Sequence, residues 1–400
     1  MSQYPYVPYG ATVHGEEEIE AVVNVLKTST QMGKHVRELE DKVAKLYNKK
    51  YGIGVNSGSS ALYLAADLMN FDEGSEIITP ALTFSTTVAP IVKKKWIPAF
   101  VDVKEGTYNI DHNKIEEMIS SKTKAMIIPN LIGNLPNWEK IRAIADKYNL
   151  FILEDSADTI GAEINGASSG RFTDMSTTSF YGSHIMNCAG NGGMLCVNSE
   201  AFYNRGKLLR SWGRSSSLFI ESEAIENRFN VEVDGIPYDA KFVFEEPGYN
   251  IEPSELGAAF GLVQLNKLPN NIDLRTQHYL KLREFFKQYE DFFILPNQLP
   301  NSRTGWLAFA ITLRDNSPFI RRDLQIFLEK RNIQTRTIFT GNILRQPGFK
   351  NIQSRTSKNG YPEADKVMRG GMLMACHHGL NDIQINHIMD SISTFMKMYI

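Results

Sequence analysis

The chain has 400 residues, of which 42% are hydrophobic and 22% charged, as is typical of a folded globular protein. Its 43 lysines and arginines nearly balance 45 aspartates and glutamates, which gives no electrostatic reason to expect a nucleic-acid or membrane partner. The amino-terminal MSQYPYVPYG lacks the basic and apolar regions of a secretory signal, and no apolar run is long enough to span a membrane. The three cysteines fit neither a disulfide framework nor a CxxC metal site. These features predict a cytoplasmic protein with reduced thiols.

The first 153 residues alternate between predicted helices and strands. Apolar residues at helical spacing predict helices over 15–28 and 36–47, and a strand at 51–55 then leads into a Gly-Ser turn and a helix from Ala61. Further strands are predicted at 77–78, 98–103, 125–129 and 150–153, with helices from 85, over 113–120 and over 137–148. This alternation predicts an α/β fold with a mostly parallel sheet, covered by helices on both faces.

The second half of the chain predicts a smaller α+β domain. A strand at 194–197 is followed by a long loop or hairpin over 213–247 and a long helical stretch over 254–289. Further strands are predicted at 306–312 and 334–338, with helices at 321–331 and 382–399. We therefore expect a large domain in residues 1–255, and a linking helix with the small domain in 256–400.

The turn around Gly58 and Ser59 is a candidate phosphate site. A strand, a turn of small residues and a helix leave free backbone N–H groups at the helix N-terminus, which favour an anion. The turn lacks the Walker lysine and the GxGxxG spacing, so it fits neither type of nucleotide loop. Glycine and serine also cap many helices without binding anything, and this alternative stays open.

Three further candidates are predicted at the ends of strands, where parallel sheets bind their ligands. They are Phe84, Asp155 and the run from Ser179 to His184. An acid in this position is often only a helix cap, and a histidine beside a glycine-rich turn (Gly190, Gly192, Gly193) is often structural.

Taken in order, these motifs resemble the sugar aminotransferase (DegT/DnrJ/EryC1/StrS) family across nearly the whole chain. The matching segments are NSGSSAL, PALTFSTT, LEDSAD, SFYGSH with NGG, and GYNIEPSELGAAFGLVQL. The resemblance implies a fold-type I pyridoxal-phosphate (PLP)-dependent transferase, with a large cofactor-binding domain and a homodimer that shares its active sites.

The resemblance also assigns roles to these residues. It implies that Gly58, Ser59 and Ser179 hold the cofactor phosphate, and that Asn250 reaches the phosphate in the neighbouring subunit. Phe84 would stack on the pyridine ring, Asp155 would pair with the ring nitrogen, and Asp158 would lie near the ring hydroxyl.

The sequence departs from the aminotransferase pattern at His184. The aminotransferases have a lysine there, which forms a Schiff base with PLP, and imidazole cannot form that bond. The chain resembles, instead, the histidine-containing 3-dehydratases of GDP- and CDP-linked 4-keto-6-deoxyhexoses, which use pyridoxamine phosphate (PMP). LIGNLPNW, FTGN and RQP also look like this subgroup.

The subgroup implies C3 dehydration of a nucleotide-linked 4-keto-6-deoxy sugar, giving a 3,6-dideoxy sugar of the kind found in lipopolysaccharide O-antigens. His184 would remove a proton from the cofactor C4′ carbon and then serve as the acid for the C3 hydroxyl. No cysteine occurs in the segment after Trp212-Gly213-Arg214, so we expect no iron–sulfur cluster and no metal site. L-glutamate would then restore PMP.

Two alternatives remain at this point. The chain could be an ordinary nucleotide-sugar aminotransferase in which His184 is a natural or engineered replacement of lysine, although no lysine lies between Thr173 and Arg205. It could also be a non-catalytic member that senses a sugar or the cofactor. The sequence does not identify the nucleotide. Candidate basic groups for it are Arg210, Arg214, Arg336 and Arg345, whereas His35, His377 and His378 have no assigned role.

Overall fold

The computed structural model describes residues 4–219 and 223–400. The start of the amino-terminal segment (1–3) and part of the cysteine-free segment (220–222) therefore lie outside the described residues. The large sheet has seven strands: β1 (Tyr51–Val55), β2 (Glu76–Pro80), β3 (Ile97–Val101), β4 (Thr123–Pro129), β5 (Phe151–Ser156), β6 (Met175–Ser179) and β7 (Gly193–Val197). Their order is β1-β7-β6-β5-β4-β2-β3, and β7 runs antiparallel to both neighbours while the other pairs are parallel. The prediction of a mostly parallel sheet is confirmed.

Helices cover both faces of this sheet and continue into the second half of the chain. They are α1 (Glu16–Leu26), α2 (Lys34–Leu46), α3 (Gly58–Met69), α4 (Ser85–Lys93), α5 (Trp138–Tyr148), α6 (Glu200–Arg210), α7 (Ile225–Arg228), α8 (Glu255–Phe286), α9 (Arg321–Glu329), α10 (Pro362–Gly370) and α11 (Asp382–Met396). Apolar residues on the two faces form separate cores, one around Ile53 and Leu64 and the other around Ile128 and Trp138. Burial on both faces explains why the strands are apolar along their length.

The small domain is built on an antiparallel sheet. A hairpin, β8 (Val231–Val233) and β9 (Ile236–Tyr238), comes before it and confirms the prediction for residues 213–247. The small sheet comprises β10 (Phe293–Ile294), β11 (Phe309–Leu313), β12 (Thr335–Thr337) and β13 (Gly371–Met374), in the order β10-β11-β13-β12. Three two-residue strands, Glu163–Ile164, Ala167–Ser168 and Ser302–Arg303, pair separately. The domain boundary after residue 255 stays a prediction.

Helix α8 connects the two sheets and also fixes the start of α2. The Glu255 carboxylate accepts hydrogen bonds from the backbone N–H groups of Gly33 (2.7 Å) and His35 (2.8 Å), and from the His35 ring. A carboxylate at a helix N-terminus satisfies free N–H groups and favours the helix dipole. His35 therefore has a structural role.

Two predicted elements differ from the structure. The predicted helix over 113–120 is wrong, because the chain forms two 3₁₀ turns there, His112–Lys114 and Glu116–Met118. Asp111 caps the first turn through its side chain, and a segment of about eight residues is too short to be stable as an isolated helix. The strand predicted over 150–153 extends to Ser156, so Asp155 lies inside β5. Within the described residues, no helix combines the length and apolar character needed to cross a membrane.

Candidate active site

A cavity of about 390 Å³ lies at the carboxyl-terminal edge of the parallel strands, and Leu307 and Phe339 from the second half of the chain also line it. Ligands bind at this edge in open α/β sheets. Most of the predicted site residues line the cavity: Gly58, Ser59, Phe84, Asp155, Asp158, Ser179 and His184. Residues that are distant in sequence, and that were predicted separately, are thus brought to one site.

The start of α3 forms one end of the cavity. Ser57 caps the helix by accepting a hydrogen bond from the Ser60 N–H (3.1 Å), which leaves the first turn open toward the cavity. Gly58 packs closely on Ser179, since a Cβ at Gly58 would lie 2.7 Å from the Ser179 Cβ. N–H groups at a helix N-terminus, together with serine hydroxyls, are suited to a phosphate.

Asp155 lies at the other end of the cavity and is 5% exposed. Its carboxylate accepts hydrogen bonds from the Thr87 hydroxyl (2.8 Å) and the Ala157 N–H (3.1 Å). Burial raises the pKa of Asp155, and these two hydrogen bonds oppose that rise. A buried carboxylate with no cationic partner here would be stabilised by a protonated ring nitrogen.

Asp158 follows β5 and shares the cavity with Asp155. Burial, together with the nearby Asp155, raises the pKa of Asp158 to about 7, although it accepts a hydrogen bond from the Ile132 N–H (2.8 Å). Ile132 has φ = +62°, an unfavourable conformation for a β-branched residue, and its carbonyl accepts from the Leu307 N–H (2.9 Å). The strained segment therefore joins Asp158 to the small domain.

His184 lies on the loop between β6 and β7. Its backbone N–H donates to the Tyr181 carbonyl (3.0 Å), and the Tyr181 ring meets the imidazole edge-to-face at 5.7 Å. The imidazole Nδ1 is buried and has no hydrogen-bond partner. Burial lowers the pKa of His184 to about 4. A hydrogen bond with the Ser179 backbone opposes this shift, and the nearby Arg275 adds to it. The imidazole is therefore neutral at pH 7 and can accept a proton.

Aromatic side chains form the mouth of the cavity. Phe84 is 50% exposed and meets Phe339 of the small domain edge-to-face at 5.8 Å. Tyr9, from the amino-terminal segment, also lines the cavity and lies under Arg336 at 5.3 Å. A flat ligand at this position would stack on Phe84.

Asn250 does not join the cavity within this chain. It is exposed and pairs with Ser211 in an isolated bridge. The glycine-rich turn supports the His184 loop, since Gly182 N–H donates to the Gly190 carbonyl (3.0 Å).

None of the four candidate arginines lines the cavity. Arg210 is buried and paired with Glu40 (2.6 Å), and Arg345 is paired with Asp365 (2.6 Å). Arg214 stacks on Trp212 at 4.2 Å, and only Arg336 is connected to the cavity, through Tyr9.

Sequence reasoning missed several residues that shape the site: Tyr9, Thr87, Asn191, Arg275, Leu307 and Phe339. Thr87 and Phe339 lie in the segments PALTFSTT and FTGN, which carry the family resemblance. Arg275 also had a signal, because it occupies a helical stripe of buried apolar residues that includes Ile272 and Tyr279. Tyr9 gave no local signal, since its position depends on long-range contacts.

Three comparisons with known proteins agree with this architecture. Residues 12–393 match the model of the DegT/DnrJ/EryC1/StrS aminotransferase family. The dTDP-4-dehydro-2,6-dideoxy-D-glucose 3-dehydratase of Saccharopolyspora spinosa is 32% identical over 406 residues, covering 98% of this chain and 87% of that protein.

Two solved structures have the same fold. The E. coli GDP-4-keto-6-deoxy-D-mannose-3-dehydratase with bound hydrated PLP matches with a TM-score of 0.87 and 28% identity, covering 97% of this chain and 99% of that chain. A GDP-4-keto-6-deoxymannose-3-dehydratase with a trapped PLP-glutamate geminal diamine matches with a TM-score of 0.85 and 28% identity, covering 96% and 99%.

The fold and the cavity thus define a fold-type I PLP-dependent transferase, as the sequence predicted. Within that class, the chain belongs to the DegT/DnrJ/EryC1/StrS aminotransferase family.

Proposed function

We propose that this chain is a PMP/PLP-dependent 3-dehydratase of a nucleotide-linked 4-keto-6-deoxyhexose, in which His184 acts as the general acid and base. One observation carries the proposal. A neutral histidine, His184, lines the same cavity as Asp155 and Phe84, and no described residue that lines this cavity is a lysine. The dehydratase names of the relatives in S. spinosa and E. coli support the reaction class.

The residues of the cavity fit PMP and PLP by their chemistry. The N-terminus of α3 and Ser179 would hold the phosphate, and Phe84 would pack on the ring. Asp155, buried without a cationic partner, would hold a proton on the ring nitrogen, and Asp158 would lie beside the ring. When bound, the cofactor supplies an amine for the sugar ketone and a ring that stores electrons.

His184 would move the proton in both directions. Its imidazole is neutral before the reaction, so it can accept a proton from the cofactor C4′ carbon. The imidazolium so formed would lie in a buried environment that disfavours its charge, which promotes donation to the leaving C3 hydroxyl. A single side chain would therefore serve as base and then as acid.

The reaction balances with glutamate as the amine donor. Replacing the C3 hydroxyl with hydrogen requires two electrons, which L-glutamate would supply through the bound cofactor. Overall, the hydroxy sugar and glutamate would give the 3-deoxy sugar, 2-oxoglutarate and ammonia. The PLP-glutamate species trapped in the related dehydratase supports this assignment.

We further propose a homodimer with shared sites. Asn250 lies outside its own cavity, and the segment that precedes it exposes large apolar side chains on this chain: Phe229, Ile236, Tyr238, Phe242, Phe244 and Tyr249. Exposed apolar surface of this extent favours a protein partner. A second copy would cover it and bring Asn250 to the neighbouring phosphate.

The cysteines favour a route without an iron–sulfur cluster. Such clusters are held by up to four thiolates. The chain has three cysteines (Cys188, Cys196, Cys376), all buried, and burial raises the pKa of each thiol.

The product of the reaction tests the proposal. Purified protein with PLP, L-glutamate and GDP-, CDP- or dTDP-linked 4-keto-6-deoxyhexoses should give a sugar that lacks the C3 oxygen, with release of ammonia. A product with an amine in place of the C4 oxygen would show an aminotransferase. Lack of turnover with every sugar would favour a sensing member, and His184→Lys should shift the product toward the amino sugar.

A further inference from the structure

Arg275 is a buried cation beside the candidate active site. It lies on α8 within a stripe of buried residues that includes Leu268, Ile272, Tyr279 and Leu282. Its side chain is fully buried, and no carboxylate of the described residues lies within ion-pair distance of it. Buried charges are normally paired, so an arginine held only by neutral groups requires an explanation.

The guanidinium of Arg275 joins three separate segments. Nη2 donates to the His184 carbonyl (3.3 Å), and Nη1 donates to the carbonyls of Trp306 (3.0 Å) and Leu307 (3.1 Å). Nε donates to Nδ1 of His378 (3.1 Å). The guanidinium therefore connects the His184 loop to the segment around Leu307 that lines the cavity, and to the turn after β13.

We infer that Arg275 is a positioning residue for His184: its guanidinium anchors the His184 main chain and keeps an uncompensated positive charge behind the imidazole. The inference rests on the proposed role of His184 as acid and base. It concerns a residue that contacts neither substrate nor cofactor, since Arg275 does not line the cavity.

The direction of the His184 ring is set by main-chain contacts, because its Nδ1 has no hydrogen-bond partner and the imidazole interacts with the Ser179 backbone. In many catalytic sites the second ring nitrogen of the histidine is oriented by a hydrogen bond, whereas Nδ1 of His184 has no partner. The ring direction therefore depends on the backbone. One turn before Arg275, Asn271 donates to the Ile185 carbonyl (3.5 Å), so α8 holds two successive carbonyls of the loop.

The charge of Arg275 adds an electrostatic effect. Titratable groups that line the cavity with His184 are Tyr9 from the amino-terminal segment, Asp155 in β5, Asp158 just after β5, and Tyr181 on the same loop. Arg275 is the cation among the groups that act on His184, and after burial it contributes to the lowered pKa. It therefore favours the neutral form that accepts the proton.

His378 completes the arrangement. Because its Nδ1 accepts from Arg275, His378 must be neutral, and burial lowers its pKa to about 3 with Arg275 contributing. No charge thus compensates the guanidinium from that side.

The alternative is that Arg275 has only a structural role, in which its hydrogen bonds hold the connected segments together. A purely structural role of Arg275 would affect stability without altering the titration of His184. We would therefore measure the pKa of His184 by NMR on histidine-labelled, cofactor-free full-length protein, with His184→Asn to assign the signal. The variants are Arg275→Gln, Arg275→Lys and, as the matched control, Arg283→Gln. Arg283 lies two turns further along α8 and donates to the Pro296 carbonyl (3.1 Å).

The inference predicts that Arg275→Gln raises the pKa of His184 by about half a unit or more, whereas Arg283→Gln leaves it unchanged. Arg275→Lys keeps the positive charge but loses the branched set of hydrogen bonds that the guanidinium makes. The pKa of His184 should therefore stay low, while kcat falls about 10-fold at constant KM. An unchanged pKa in Arg275→Gln would overturn the electrostatic part. If that variant does not fold, a wild-type kcat in Arg275→Lys would overturn the positioning.

These readouts separate this inference from the proposed function. The pKa is measured without cofactor or sugar, so it stands whatever product the enzyme forms. Conversely, a 3-deoxy product with an unchanged pKa would support the proposed function and contradict the role of Arg275.

Discussion

The two sides of the cavity are built in different ways. The carboxylates Asp155 and Asp158 lie at the end of a central strand and are held by hydrogen bonds from Thr87, Ala157 and Ile132 of the same domain. His184 lies on an irregular loop whose contacts come from α8 and from the amino-terminal segment, where the Thr12 hydroxyl donates to the Gly182 carbonyl (3.0 Å).

Burial acts on both sides, but with opposite effects on the pKa. It raises the pKa of the carboxyl groups and lowers that of the imidazole, so each side is driven toward its neutral form. A cationic ring would restore the charge of Asp155 by pairing with it, whereas around His184 burial outweighs the hydrogen bond of the Ser179 backbone that favours an imidazolium. We therefore propose that the sheet side holds the cofactor and that the loop side transfers protons.

Removing the imidazole should have the largest effect. His184→Asn cannot accept a proton, so we expect turnover to fall by about 1000-fold or more while the Kd for PMP changes little. Rapid-quench kinetics and PMP titration would measure the two quantities. His112→Asn, outside the cavity, is the control, and an equal loss of PMP binding in His184→Asn would contradict the division between the two sides.

Replacing the ring-pairing carboxylate should affect binding and turnover together. Asp155→Asn keeps an acceptor for Thr87 but loses the charge, and a charge-assisted hydrogen bond contributes about 1.5–3 kcal/mol, or roughly 10- to 100-fold. The Kd for PMP should rise and kcat should fall. Asp174→Asn, whose carboxylate binds Arg142, should change neither. A wild-type Kd in Asp155→Asn would show that the ring nitrogen lies elsewhere.

A change at the phosphate end should affect binding alone. Gly58→Ala places a Cβ 2.7 Å from that of Ser179, so one of them must move. We expect about a 10-fold higher Kd for PMP, with kcat at saturation near wild type. Gly348→Ala, where a Cβ meets nothing within 4 Å, should bind normally. Equal affinity of the two variants would argue against a phosphate at this helix terminus.

Two further predictions concern stability and pH rather than activity. His377, which is 1% exposed, has a pKa of about 4 in the folded chain and about 6.5 when unfolded. The unfolded chain binds more protons between these values, so the free energy of unfolding falls as the pH drops from 6.5 to 4, by up to about 1.4 kcal/mol per unit. His377→Asn should make this fall shallower in denaturant titrations of cofactor-free protein.

Asp158 should change the free energy of unfolding with pH in the opposite direction. Its pKa is about 7 when folded and about 3.9 when unfolded, so the unfolded chain binds fewer protons in that window. Its contribution therefore raises stability as the pH drops from 7 to 4, and Asp158→Asn should make the acid sensitivity steeper. The same sign in both variants would contradict the opposite effects of burial on the pKa of an imidazole and of a carboxyl group.

Local pattern predicted much of the scaffold. The spacing of apolar residues located α1, α2, α5 and α8 to within a few residues, because burial on one face imposes a helical period. Strands of the parallel sheet were found from short continuous apolar runs, because both faces of this sheet are buried. The helix predicted over 113–120 is wrong, because the spacing of apolar residues does not show that a side-chain cap from Asp111 competes with helix formation.

The site could be predicted only in part. Gly58, Phe84, Asp155 and Ser179 carry local motifs at strand or helix ends, and the structure brings them to one cavity. The roles assigned to them stay predictions. Tyr9 and Arg275 depend on contacts between segments that are distant in sequence, such as Tyr9 with Gln334 and Arg275 with His378, and no local pattern encodes those contacts.

Exchange of the hydrogen at the cofactor C4′ carbon would show directly whether His184 is the base. Protein loaded with PMP that carries deuterium at C4′ is mixed with the nucleotide-linked 4-keto sugar in ordinary water, and loss of deuterium is followed by mass spectrometry. We expect rapid, sugar-dependent loss of deuterium in the wild-type protein and in His112→Asn, and no loss above background in His184→Asn. Loss at the wild-type rate in His184→Asn would contradict the assignment of His184 as the base.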